Sequence, residues 1–406
     1  MPTLTTDVLR PGSMGIPSQV VERAPPRRKK VLHFITSIGG GGAENFLRSL
    51  VATMRGSPWQ SVIVAVKVHP HEAFVEELRA QGCVVHDLNA SALLKPSVWS
   101  ATRRLIQQED PDVVQTWMHH ADFIGGIAAW SAGFRNIVWG VRATAVHRNP
   151  GDGQLKTRLF HHALGWSAKW LPRRIIANST AAVAVHEAMG YPRQKFVWVP
   201  NGVNAQRFAP RPETGRQTRE ALQIPATVPV IGFVGRFHPV KDLELFFDAA
   251  AKLQAVRPEA HFVLVGGEEN DLYPQAHSAF KRLPQPGHVR FVPFGASVET
   301  FYPAFSVFTL CSESEAFPNV VLEAMACGVP CAATDAGDCR AMLEGLGTVV
   351  PIHDRQALTQ AWLDLLDLSE TERAALAARS RERALRDYSL EGAAQRFQQV
   401  YDALIS

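Results

Sequence analysis

Residues 312–330, SESEAFPNVVLEAMACGVP, carry two carboxylates, Glu315 and Glu323, on either side of a Pro-Asn pair. Pro318 fits the first position of a helix, where its missing N–H is not needed. Asn319, Val320 and Val321 would then expose backbone N–H groups at the helix start, which suits a phosphate. Glu323 falls one turn further in, where a carboxylate can accept hydrogen bonds from a ribose. The alternative is an ordinary βα unit with two solvated glutamates, which sits badly with the apolar neighbours of Glu323 in VVLEAMA. A second loop, FVGRFHPVKD at 233–242, places Arg236 directly after Gly235 and Lys241 at the opening of the next helix. Two cations there suit a diphosphate, the arginine as a bidentate fork and the lysine as a mobile point charge. As mere surface charges they would oppose the helix dipole at slight cost unless an anion is present.

Three further places are candidates. The loop SIGGGGAEN at 37–45 includes Gly41 and Gly42 and can bring backbone N–H groups close to a ligand. It is either a ligand-admitting loop or a flexible surface turn. A dinucleotide fingerprint would need a third glycine where Glu44 or Asn45 stands, and an acid where Lys67 and His69 stand, which speaks against NAD. His119 and His120 follow the run DVVQT; His120 either points into a cleft or caps the next helix. Arg142, in WGVRAT, either reaches an acceptor phosphate or is an ordinary surface arginine.

These loops need elements to hold them. Apolar runs at 31–36, 61–66, 84–87, 112–116, 137–141 and 174–178 predict strands, most separated by a helix-length stretch. A second series runs through 230–234, 261–265, 289–293, 307–311, 329–333 and 348–351. This alternation is β-α-β with parallel sheets, and the Val and Ile content fits strands covered on both faces. The stretch 201–227 is polar and turn-rich, so the hinge falls close to Pro200. The expected division is an arm over 1–29, a domain over 30–200, a second over 201–384, and a terminal helix over 385–406 packing back toward the first. The fold class is therefore α/β, two Rossmann-like domains facing across a cleft, with ligands at the carboxyl ends of the strands.

A chain of 406 residues, 46% hydrophobic and 20% charged, is globular and too long for one core. A net charge of +4 suits anionic ligands or an anionic membrane and does not require nucleic acid, for which no motif is present. Cys83, Cys311, Cys327, Cys331 and Cys339 read as reduced buried thiols; no second pair or nearby His completes a zinc site around Cys327 and Cys331. No run approaches the ~18 apolar residues that span a bilayer, and the start lacks a signal-peptide core, so a cytosolic chain is expected. The arm, running into APPRRKK, is a solvated tail or a contact for anionic lipid. Leu155, Leu159, Ala163, Trp166 and Trp170 share a helical face among Lys156, Arg158, Lys169, Arg173 and Arg174. That face packs on the first sheet, or else docks on a membrane holding a lipid-linked acceptor.

Taken in order, Gly41-Gly42-Ala43-Glu44, Asn201-Gly202, Gly235-Arg236 with Lys241, and Glu315-x7-Glu323 before AMACGVP resemble one large family. It is the group 1 family (family four) of retaining glycosyltransferases with the GT-B fold, and the likeness covers essentially the chain without its arm. The resemblance implies that Arg236 and Lys241 neutralise a nucleotide-sugar diphosphate without metal or cofactor. It places Glu323 on the ribose, Glu315 against the transferred sugar, and the amides of residues 319–321 on the donor. It also implies transfer with retention, the leaving phosphate helping to deprotonate the acceptor hydroxyl. The acceptor would be a glycan or polyprenyl-linked sugar in surface-polysaccharide assembly, at the cytosolic face of the membrane. Relatives often carry a histidine just after the strand DVVQT; Trp117 and Met118 stand there, which leaves His120, or another residue, for that role. A nucleotide-sugar epimerase of the same fold and a non-catalytic nucleotide-sugar-binding protein are the alternatives.

Overall fold

The computed structural model describes residues 28–38, 41–68, 72–90, 95–144 and 154–406. The first sheet holds β1 (Lys29–Ile38), β2 (Trp59–Val68), β3 (Val84–Asp87), β4 (Val113–Trp117), β5 (Ile137–Val141), β6 (Arg174–Ala177) and β7 (Phe196–Trp198). Its order is β3-β2-β1-β4-β5-β6-β7, parallel throughout. The helices between and after these strands are α1 (Gly42–Thr53), α2 (Glu72–Ala80), α3 (Pro96–Glu109), α4 (His119–Ser131), α5 (Gln154–Ser167) and α6 (Thr180–Ala188). Every residue of β4 and β5 is buried, as a strand covered by helices on both faces requires.

After α7 (Pro212–Ala221) the second sheet comprises β8 (Val230–Val234), β9 (His261–Val265), β10 (Val289–Val292), β11 (Val307–Leu310), β12 (Cys331–Thr334) and β13 (Gly347–Val350). Its order is β10-β9-β8-β11-β12-β13, again parallel. Around it lie α8 (Leu243–Val256), α9 (Pro274–Lys281), α10 (Asn319–Ala326), α11 (Cys339–Leu343), α12 (Arg355–Leu366) and α13 (Glu370–Asp387), and the last helix, α14 (Leu390–Ile405), returns to the first sheet. Phe246 of α8 packs edge-on against Phe247 and Trp362, and the Trp362 indole donates to the Thr309 hydroxyl at 2.8 Å. Each such aromatic, fully buried, contributes about 2 kcal/mol.

Both sheets are doubly wound, and strand order reverses between β1 and β4 and between β8 and β11. At such a switch point the following helices leave on opposite faces and open a crevice at the carboxyl ends. Gly41 and Gly42 follow β1 and the two histidines follow β4; Arg236 and Lys241 follow β8, and Glu315 follows β11. The topology therefore gathers the candidate residues at two crevices.

The strands run within two residues of those expected from the apolar runs, with two differences. β7 is a three-residue edge strand too short to show a pattern. The stretch expected to be linker contains α7, whose single buried residue is Gly215. A Cβ on Gly215 would lie 2.3 Å from the Pro303 carbonyl, so the helix docks by backbone approach and needs no apolar stripe. α14 does carry a stripe: Leu390, Ala393, Phe397 and Tyr401 pack with Phe46, Trp59 and Trp117 of the first sheet's core. All five cysteines are buried and unpaired. The arm lies outside the described residues as far as 27, while Lys29 already pairs in β1. Gly39, Gly40, His69 and the side chains of Leu155 and Lys156 are also outside them.

Candidate functional site

The crevice of the second sheet is built on backbone approach. Gly266 has φ +126, and a Cβ there would lie 2.3 Å from the Gly235 carbonyl, so the chains leaving β8 and β9 nearly touch. Arg236 follows and is exposed. Lys241 does not open a helix: it closes a single 3-10 turn, and Asp242, in the left-handed region at φ 47, caps α8 through its carboxylate. The lysine is thereby held off the helix dipole it would oppose. Its Nζ reaches across to Glu315 at 2.5 Å. Glu315 also accepts from the Ser312 hydroxyl at 2.7 Å. A Cβ on Gly337, at φ +60, would lie 2.6 Å from the Glu315 carbonyl, so the loop after β12 props the glutamate from behind.

Pro318 is the N-cap of α10, one place earlier than expected, and Asn319 is the first helical residue. The Asn319 N–H bonds the Phe317 carbonyl at 3.0 Å and the Val321 N–H bonds that of Pro318 at 3.0 Å. Two of the three amides expected to be open are thus engaged locally. Glu323 faces a different setting, half-buried and accepting from the Tyr302 hydroxyl at 2.6 Å. Burial pushes its carboxyl up to about 7; the Tyr302 bond and Arg207 pull it down, and Glu299 pushes it up. Arg207 is itself paired with Glu299 at 2.9 Å.

The first domain meets this crevice directly. The Gly41 N–H donates to Glu44 at 2.6 Å, which folds the glycine loop onto α1. A Cβ on Gly42 would lie 3.7 Å from the Asn319 amide nitrogen, so this loop abuts the start of α10. Asn319 accepts from the Asn201 side chain at 2.8 Å, and Asn201 in turn accepts from Arg142. Thr144 and Ser314 share a hydrogen bond of 2.9 Å, and Asp338 accepts from the Thr180 hydroxyl at 2.7 Å.

Arg142 is not a surface arginine. It is buried against the rings of Phe46, Trp117 and Phe397, with centroid distances of 4.2, 4.6 and 5.6 Å. Its Nε and Nη2 have no partner among the described residues, and burial pulls its pKa down to about 9. Trp117 supplies one wall of that cage and donates to His33 at 3.3 Å. Asn201 is the site residue to which sequence reasoning gave no role; its place in NG, part of the ordered motif series beside the hinge, was the available signal.

The histidines separate. His119 is buried and its Nε2 lies 2.6 Å from Nε2 of His186, the rings stacked at 4.9 Å. His186 directs Nδ1 at the Ala182 carbonyl, 2.7 Å away. That nitrogen must carry the proton, so His186 accepts at Nε2 and His119 donates. Burial pulls His186 down to about 4, which keeps it neutral. His120 does not cap α4; the N-cap is Met118, at φ 74. His120 is exposed and stacked on Phe160 of α5 at 4.9 Å. Among the described residues, Asp242, Glu313 and His353 form one cluster of metal-ligand types, with His353 Nδ1 2.8 Å and Nε2 3.6 Å from the two carboxylates.

Two facing Rossmann-like domains with a cationic loop and a glutamate loop at one crevice define a GT-B architecture. HepE of Anabaena, solved in complex with UDP-glucose, superposes with a TM-score of 0.79 at 21% identity, over 92% of this chain and 99% of that one. Sucrose-phosphate synthase from Thermosynechococcus elongatus gives 0.75 at 20%, over 93% and 99%. Residues 40–207 match the family model "Glycosyltransferase Family 4", and residues 228–368 match "Glycosyl transferases group 1". The chain belongs to this family of GT-B glycosyltransferases. It is 25% identical to the putative glycosyltransferase EpsF of Bacillus subtilis over 322 residues, 76% of this chain and 80% of that one. It is 33% identical over 232 residues to the D-inositol 3-phosphate glycosyltransferase of Kineococcus radiotolerans, 52% of this chain and 53% of that relative, so it spans about half that relative's length.

Proposed function

We propose that this glycosyltransferase moves a hexose, with retention and without metal or other cofactor, from a nucleotide-diphosphate sugar to a glycan or polyprenyl-linked acceptor. The setting is bacterial surface-polysaccharide assembly at the cytosolic face of the membrane. EpsF supports the reading, as does the similarity to an Escherichia coli UDP-Gal:alpha-D-GlcNAc-diphosphoundecaprenol alpha-1,3-galactosyltransferase, 28% identical over 276 residues, 65% of this chain and 68% of that one. Among the described residues no helix is long and apolar enough to cross a membrane.

The observation that carries the proposal is the Lys241–Glu315 pair at the β8/β11 crevice. Arg236, exposed beside it, and Lys241 take the diphosphate. The phosphate replaces Glu315 as the partner of Lys241, and the released carboxylate turns to the transferred sugar. Residues 319–321 lie against the donor with Gly41 and Gly42 closing over it, and Glu323 accepts from the ribose hydroxyls. Charge that builds on the leaving diphosphate, as the sugar becomes oxocarbenium-like, meets fixed cations in a partly dry crevice. The departing phosphate oxygen takes the acceptor proton on the same face, so no enzyme nucleophile is needed. His120 lines the acceptor side. His119, bonded to His186, and Arg142, bonded to Asn201, stand behind it on the same side.

The test is proton NMR of the protein incubated with UDP-glucose, UDP-galactose, UDP-N-acetylglucosamine and GDP-mannose, with and without a polyprenyl-diphosphate sugar. Release of diphosphate with the sugar in the donor's anomeric configuration supports the proposal. Inversion, or a new nucleotide-sugar epimer without acceptor, overturns it.

A further inference from the structure

Helix α5 was open to two readings, packing inward or facing a membrane. Leu164 and Ala168 pack inward, in one cluster with Trp139 and Ile175. The opposite side is bare, with Trp166 63% and Leu159 59% exposed, and beside it Trp170, just past the helix, is 43% and Trp130 of α4 44% exposed. The three indoles form one patch, with Trp166–Trp170 centroids 5.0 Å apart and Trp130–Trp170 5.9 Å apart. Around them stand exposed Arg135, Arg158, Lys169, Arg173 and Arg174, and Arg135 lies over the Trp130 ring at 5.0 Å. Residues 154–177 contain no aspartate or glutamate. The positive field registers at Lys195, whose pKa is lowered by burial and then by Arg174.

We infer that this Trp130–Trp166–Trp170 face is a docking surface for an anionic phospholipid leaflet. Indoles belong at the headgroup boundary because one part of the ring is apolar and the N–H is polar. The unopposed basic rim matches the negative leaflet, where each Lys or Arg adds attraction. The charge alone would also suit an acidic protein; the three clustered, exposed indoles are what favour a headgroup boundary over a protein partner. The helix axis supplies the geometry. α5 starts on the cleft side, where Phe160 stacks on His120, and Trp130 lies ten residues along α4 from His120, about 15 Å. A membrane under the indoles would thus hold a lipid-linked acceptor within about that distance of His120, at the carboxyl end of the first sheet. Only this last step rests on the proposed function; the face itself rests on exposure and charge.

The test uses the full chain with vesicles of about one part phosphatidylglycerol to two parts phosphatidylcholine, and of phosphatidylcholine alone. The expected result is sedimentation with the anionic vesicles, a blue shift of tryptophan emission, and a fall of at least about tenfold in binding when salt is raised. W166S/W170S, and separately R158E/K169E, should each weaken vesicle binding at least about tenfold while leaving nucleoside-diphosphate binding unchanged. The charge variant touches no core residue and serves if the tryptophan variant misfolds. Equal binding to both vesicle types, or vesicle binding unchanged in both variants, overturns the inference. So does a dimer by light scattering that both variants dissolve, with no vesicle binding by the wild type. Loss of nucleotide binding in the unmodified chain would instead strike the proposed function.

Discussion

Glu323→Gln should make the free protein more stable at alkaline pH and a poorer binder of nucleotide. The wild-type carboxyl sits at about 7 in the fold against an ordinary 4.5, because burial disfavours its charge. Between those values the folded chain holds a proton that the unfolded chain has lost, so stability falls as pH rises through that window. At about 1.4 kcal/mol per pH unit the full loss is about 3 kcal/mol, and partial solvent contact lowers it to about 2–3 kcal/mol. Glutamine keeps the hydrogen bond from Tyr302 and has no proton to lose, so its melting temperature should lack this component. For a domain of this size the wild type should lose about 4–10 °C between pH 5 and pH 9 that the variant keeps. Nucleotide binding should move the other way. The ionised carboxylate accepts from ribose better than the amide does, so the variant should bind about 10–100-fold more weakly at pH 8. Wild-type binding near pH 7 should release part of a proton, read as a dependence of calorimetric heat on buffer. Parallel melting curves for the two proteins across pH would refute the burial argument. Unchanged nucleotide affinity would refute the ribose assignment.

Glu315→Gln should cut turnover at least about a hundredfold with little change in nucleotide affinity, by initial rates beside calorimetry; equal losses in both would merge the roles of the two glutamates. Arg142→Met should be neutral or raise the melting temperature, because it removes an underpaired buried cation, yet turnover should fall about tenfold as Asn201 and Asn319 lose their anchor. Asp338→Ala strips the Thr180 bonds between the domains and should cost about 1 kcal/mol, read by denaturant titration. His119→Phe should leave the pH profile of turnover unmoved near neutrality, since its partner His186 is held neutral by burial.

How much of this was legible depends on what each signal measures. The strands were legible because Val, Ile and Phe run continuously where a sheet is covered on both faces, and β5, β8 and β9 fall on the expected residues. Helix α7 was hidden because it docks through Gly215 alone, and a missing side chain leaves no apolar periodicity. The start of α10 was displaced by one residue because proline serves equally at the cap and the first turn. Lys241 and Glu315 were separately visible as chemical types, but their pairing across 74 positions depends on the sheet order, which no local window contains. Arg142 was misjudged for the same reason: its cage draws Phe46, Trp117 and Phe397 from three distant segments. Trp166 and Trp170 lie with Leu159 on the expected stripe, yet the sheet covers the neighbouring side that carries Leu164 and Ala168, and periodicity alone cannot say which side that is.

The most direct test of the central claim is calorimetric titration of UDP, GDP, ADP and dTDP into the protein and into R236A/K241A. The account predicts that one diphosphate binds, and that the double substitution weakens it at least about a hundredfold while the melting temperature changes by only a few degrees. A diphosphate that binds both proteins equally would contradict the placement of the donor at the β8/β11 crevice.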